Sequence, residues 1–272
     1  MGKPEKPELP YREDFYYPFE YNLENIETEF LRVLARSKFK QEDKERILRA
    51  YVIATKLHEG QTRKEAPDLP YVVHPLEVAL EVMKLGGSPN VVIAALFHDV
   101  REDVKWLREL EKGEIAKLFR SRVAELLTRL LSKYRLEVFG FSWKLDDHLG
   151  SFLNKASLKL FSNFAKVRKL SLEEYFRKLE GDATAVFIKA IDRRKNLMSL
   201  GRMLDSIFED RSATASEIIA FVRRQIQETN TFVIPLAKRT YIDLGNNLEE
   251  LNLKLAIRLK IAENFLLQNP PS

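Results

Sequence analysis

Apolar positions recur at helical spacing along most of this chain. Ile26, Phe30, Leu31, Val33 and Leu34 mark a helix over 25–35. Ile47, Leu48, Tyr51, Ile53 and Leu57 mark another over 41–58, with Gly60 as its stop. A loop over 60–73 carries Pro67 and Pro70. His74-Pro75 then opens the segment LEVALEVMKL, with Pro75 expected at the first helical position, where its missing N–H costs nothing. Gly86-Gly87 ends that helix, and Ser88-Pro89 starts the next, which the pattern carries through VVIAALFHDVRED. Helical spacing returns over 122–134, 146–167 and 171–204, then through TASEIIAFVRRQIQETNTFVIPLAKR and NNLEELNLKLAIRLKIAENFLLQN. No segment sustains a period of two, so the expected fold class is all-α.

The organisation follows from the same pattern. Residues 1–22, rich in Pro, Tyr and Phe, read as an extended arm. Residues 23–245 read as a single helical domain. Residues 246–272 read as a C-terminal helix packed on it, because the stripe Leu248, Leu251, Leu255 and Ile261 needs cover. At 272 residues the chain is long enough for a sizeable core. Cysteine is absent, which excludes a disulfide framework, a thiol nucleophile and a thiolate zinc site. The first residues lack the apolar run of a signal peptide, and runs such as VVIAALF fall far short of the ~20 residues of a membrane helix. A cytoplasmic protein without a membrane partner is expected. The net charge of +5 suits either a solvated basic surface or a polyanionic ligand. No basic motif interleaved with aromatics is present, so nucleic acid is not an expected partner.

The chemistry concentrates where the apolar run Val91 to Phe97 ends in His98-Asp99-Val100-Arg101-Glu102-Asp103. A histidine and three carboxylates closing a buried segment are costly unless paired, and a divalent metal is an economical partner. If the helix continues, His98 and Glu102 share a face, as do Asp99 and Asp103. His74 stands at a helix start, one helix earlier. An imidazole and carboxylate set without thiolate suits Mn²⁺, Fe²⁺ or Zn²⁺. Read without that context, His98-Asp99 is equally a hydrogen-bonded core histidine beside an exposed acidic helix end. Asp192, Asn196 and Ser199 fall at 0, +4 and +7, on one face of another helix.

Several ordered motifs go further. His58-Glu59-Gly60-Gln61-Thr62-Arg63-Lys64, then Pro70-Tyr71-Val72-Val73-His74-Pro75, then His98-Asp99 with Glu102-Asp103, resemble the HD-domain hydrolases of the RelA/SpoT homologue group. Asp192-Arg193-Arg194-Lys195-Asn196 and the stretch from Glu228-Thr229 to Arg239 resemble two later motifs of that group. The similarity runs from about residue 41 to 240. It implies an HD-domain helical bundle of the stand-alone small alarmone hydrolase type, removing the 3′-pyrophosphate of (p)ppGpp to leave GDP or GTP. It also implies one divalent ion, Mn²⁺, held by His74, His98, Asp99 and Asp192. Glu102 and Asp103 match the catalytic acidic pair. Arg63, Lys64, Asn196 and, more loosely, Lys133 and Ser199 match substrate-binding positions. His58 lies outside the ligand set and is expected to be structural, and His148 is expected at the surface.

The chain departs from the group at Glu65, Arg101 and Lys195, and in an insertion over about 135–170 that offers a lid, an oligomer contact or an extra packing layer. A homo-oligomer is therefore left open. Two alternatives follow: an HD phosphohydrolase for another nucleotide, such as an adenine alarmone or a dinucleotide phosphate, and a catalytically weak nucleotide-binding regulatory module.

Overall fold

The structure, a computed structural model, describes residues 9–15, 22–63, 66–99, 171–209 and 214–269. The described chain divides into two compact units. One holds α2 (Leu23–Arg36), α3 (Gln41–Leu57), most of a ribbon of β1 (Thr62–Arg63) and β2 (Ala66–Pro70), α4 (Val73–Lys84) and α5 (Pro89–Leu96). The other holds a single helical turn, α1 (Arg12–Phe15), with α6 (Leu172–Glu180), α7 (Ala183–Glu209), α8 (Ala215–Glu228), α9 (Ile234–Thr240) and α10 (Ile242–Gln268). The fold is all-α, as the periodicity predicts. Among the described residues the ribbon is the only β structure. The expected helices over 122–134 and 146–167, and the 135–170 insertion, lie outside the described residues.

Local chemistry sets the helix ends. The Asn22 side chain caps α2 by accepting from the Asn25 N–H at 2.9 Å. Ser171 and Glu174 form a reciprocal capping box that starts α6. The Asp182 carboxylate accepts from the backbone N–H groups of Thr184 and Ala185. That cap, with Gly181, splits the expected continuous helix 171–204 into α6 and α7. Gly86 follows α4 at φ +81°, a left-handed conformation that terminates a helix at little cost for glycine.

Three expectations are corrected. The loop over 60–73 contains the ribbon, whose strands are too short to register as alternation. Pro67 and Pro70 are tolerated because both strands of a two-stranded ribbon are edges. Helix α4 begins at Val73, so Pro75 is its third residue; its absent N–H is still among those with no intrahelical partner. Helix α5 ends at Leu96, so His98 and Asp99 lie in the turn beyond it.

In the first unit α2 and α5 pack on α4, and α3 packs on α5, around Phe30, Ile47, Tyr51, Leu76, Ile93 and Leu96. Tyr51 donates its phenol to Glu27 Oε1 at 2.8 Å, satisfying a buried carboxylate on α2 from α3. In the second unit α7 and α9 pack on α10, with Leu248, Leu251 and Leu255 inside. A π-helical turn, Thr229–Val233, precedes Pro235 in α9. Proline lacks the N–H an unbroken helix would use there, and the wider turn absorbs the defect.

Candidate metal centre

The short link from Leu85 to Ser88 makes α4 and α5 an antiparallel pair. The start of α4 therefore lies beside the end of α5. His74, the second residue of α4, meets His98, two residues past α5, with ring centroids 5.1 Å apart. Both imidazoles are buried, whereas the Asp99 side chain is 29% exposed. The two Nε2 atoms are 3.3 Å apart. Asp99 Oδ2 lies 3.5 Å from the Nε2 of His74 and 3.4 Å from that of His98.

These separations suit a shared cation. Donors held at about 2.1 Å from one ion in tetrahedral array stand about 3.4 Å from one another. The tautomer of His98 fits as well. Its Nδ1 lies 2.8 Å from the Ala95 carbonyl, which only accepts, so Nδ1 carries the proton and neutral His98 presents a lone pair at Nε2. Among the described residues, this trio is the grouping of histidine and acidic side chains close enough to hold a metal ion.

The second unit carries the other expected ligand. Asp192, on α7, is buried; its Oδ2 accepts from Lys189 Nζ at 2.7 Å and its Oδ1 from Asn196 Nδ2 at 2.7 Å. The Asn196 bond bears out the shared helix face of these two residues. Burial pulls the Lys189 ammonium down, but the Asp192 carboxylate outweighs it and raises the group above its ordinary value. Nothing in the sequence reading singled out Lys189. Its signal was the spacing of three from Asp192, which puts a cation and a carboxylate on one helix face.

The remaining expected residues fall as follows. Arg63 is buried in β1. Ser199 is buried, and its hydroxyl donates to the Lys195 carbonyl one turn back. Lys64, Glu102, Asp103 and Lys133 lie outside the described residues, as do Glu65, Arg101 and His148. His58 is buried, with Nδ1 bonded to Gln61 Oε1 at 2.9 Å. Burial lowers its pKa, against the raising effects of the Gln61 bond and Asp99. Tyr71 stands in the Pro70-to-Pro75 motif with no role evident from sequence, yet its phenol donates to Asp99 Oδ2 at 2.8 Å.

A family profile described as an HD domain matches residues 50–219. The chain belongs to the HD-domain family. That match covers the trio and Asp192 alike, and the family's fold is the all-α one seen here. The chain is 31% identical over 227 residues, 82% of its length, to a "GTP pyrophosphokinase" of Myxococcus xanthus, of which that covers 24%. It is 30% identical over 229 residues, again 82% of its length, to a "guanosine-3′,5′-bis(diphosphate) 3′-pyrophosphohydrolase" of Vibrio cholerae, covering 26% of that protein. It is also 30% identical over 227 residues, 83% of its length, to a "bifunctional (p)ppGpp synthase/hydrolase SpoT" of Escherichia coli, again covering 26%. The chain thus spans about a quarter of the length of these relatives. The RelA/SpoT resemblance read from the motifs is borne out. No described helix is long and apolar enough to cross a membrane.

Proposed function

We propose that this protein hydrolyses the 3′-pyrophosphate of (p)ppGpp in the cytoplasm, leaving GDP or GTP and releasing pyrophosphate. The observation that carries the reading is the convergence of His74, His98 and Asp99 inside motifs shared with the RelA/SpoT group. The names of the Vibrio cholerae and Escherichia coli relatives support the substrate.

One divalent ion, Mn²⁺, is proposed as cofactor, with Asp192 as the fourth ligand on the strength of its motif. Bound there, it supplies Lewis acidity at a phosphoryl oxygen and lowers the pKa of the attacking water. The chain's own residues do the rest. His98 is oriented by Ala95 and Asp99 by Tyr71, so the donor atoms face one another before any ligand arrives. Lys189 and Asn196 each donate to one carboxylate oxygen of Asp192 and so hold its rotamer. Glu102 and Asp103 are proposed to take the proton from water and return it to the ribose 3′ oxygen as the bond from that oxygen to phosphorus breaks. Arg63, Lys64 and Lys133 are proposed to offset phosphate charge, with Asn196 and Ser199 contacting the nucleotide.

The test is incubation with ppGpp and Mn²⁺, followed by anion-exchange separation of the products. Pyrophosphate with GDP supports the reading, as does its loss in Asp99→Ala. Stepwise release of single phosphates, or turnover of adenine alarmones alone, would replace it with another HD phosphohydrolase activity. Metal and nucleotide binding with no turnover would favour a regulatory module.

A further inference from the structure

The three clustered donors are not equally fixed. His74 and His98 are buried, and His98 is tied to Ala95 through Nδ1. Asp99 is partly exposed, in the turn beyond α5, where a carboxylate can swing towards solvent. What meets it is Tyr71. The phenol donates to Oδ2, the same oxygen that faces both Nε2 atoms. A carboxylate oxygen has two lone-pair directions. Tyr71 takes one and so aims the other at the imidazoles.

Tyr71 is itself held on several sides. Its backbone N–H donates to the Gln61 carbonyl at 2.8 Å, and its own carbonyl accepts from the His74 N–H at 3.1 Å. The same short segment thus fixes a ligand and the residue that orients a second ligand. The Tyr71 ring lies against His58, with centroids 4.8 Å apart and planes 31° apart. Its edge meets His74 at 6.4 Å and 80°. His58 in turn is oriented by Gln61 through Nδ1.

We infer that Tyr71 is a positioning residue for the metal centre, setting the ligand oxygen of Asp99, and that His58 buttresses the Tyr71 ring. This rests on the proposed metal site. It gives motif residues outside the ligand set a task. His58 and Gln61 orient Tyr71, Tyr71 orients Asp99, and only Asp99 reaches the ion.

The experiment is calorimetric titration of the full chain with Mn²⁺, with the metal-free melting midpoint of each variant beside it. Tyr71→Phe keeps the ring and removes the hydroxyl. It is expected to weaken Mn²⁺ binding about 10- to 100-fold with an unchanged metal-free midpoint. His58→Ala is expected to weaken binding as well, and His58→Phe, which retains a ring to stack, to restore most of it. With ppGpp at saturating Mn²⁺, Tyr71→Phe should lower kcat and leave KM alone. Mn²⁺ affinity in Tyr71→Phe within about twofold of the parent, while Asp99→Ala abolishes binding, overturns the inference and spares the metal site. A fall in metal-free midpoint that accounts for the weakened binding overturns it too. Parent-like affinity in Asp99→Ala overturns the metal site itself, and this inference with it.

Discussion

At the scale of single residues, burial decides which groups can change charge. The His58 imidazole is held below its ordinary 6.5 by desolvation, against the opposing Gln61 bond. In the unfolded chain it titrates near ~6.5. Between that value and its lower folded one, the unfolded chain binds a proton that the folded chain does not. Stability from this residue is therefore fully present above about pH 6.5 and is lost as the pH falls below it. Melting of metal-free protein across that range should show a steeper acid loss for the parent than for His58→Phe. Parallel profiles would remove His58 from the account. The proposed proton transfer makes a separate claim on Glu102. Glu102→Gln is expected to retain Mn²⁺ and nucleotide but lose roughly 10²-fold or more in kcat. Near-normal kcat would make that residue a surface carboxylate.

At the scale of elements, close approach outweighs intrinsic propensity. Gly201 sits inside α7, where alanine would ordinarily gain roughly 0.5–1 kcal/mol. A Cβ there would lie 2.3 Å from Phe15 Cδ1, inside the ring of a fully packed side chain. Overpacking of that kind costs about 1–3 kcal/mol, so Gly201→Ala is expected to destabilise on balance. Urea melts check this, and the double variant Gly201→Ala/Phe15→Ala should recover most of the clash term. Net stabilisation by Gly201→Ala would mean that α1 is not seated on α7 in solution. The seat has a second fastening. Arg258, fully buried in α10, pairs with Asp205 Oδ1 at 2.5 Å and donates to the carbonyls of Gly201 and Pro10, with its guanidinium 4.8 Å above the Phe15 ring. Lys254 adds a half-buried pair to Asp14 of α1, and its bonds to Glu250 and Asp14 push its pKa up to about 12. Arg258→Met should cost about 2–3 kcal/mol in urea melts, since it removes the charged hydrogen bonds of a fully buried guanidinium.

At the scale of the whole molecule, a metal that binds only the folded chain stabilises it by mass action. At a free Mn²⁺ concentration of 100 times Kd the gain is about 2.7 kcal/mol, visible as a shift in melting midpoint. His98→Ala should abolish that shift, and a shift of full size in that variant would place the ion elsewhere. Periodicity and motif spacing were enough to read the all-α class, the helices over 25–35 and 41–58, and the names of the three residues that cluster. These are properties of contiguous sequence, where side chains three or four residues apart share a face whatever surrounds them. The ribbon at Thr62–Arg63 and the split at Asp182 were missed, because the first is too short for a period and the second rests on a single capping carboxylate. The order of motifs could name His74, His98 and Asp99, but not that their donor atoms lie 3.3–3.5 Å apart. Nor could it say that Tyr71 reaches Asp99, that Lys189 pairs with Asp192, or that Phe15 fills the space beside Gly201. Sequence determined which residues are candidates for the chemistry and which faces of the helices are apolar. Tertiary structure decided which of those residues meet, because a contact between distant positions depends on helix ends, link lengths and packing that no local spacing contains.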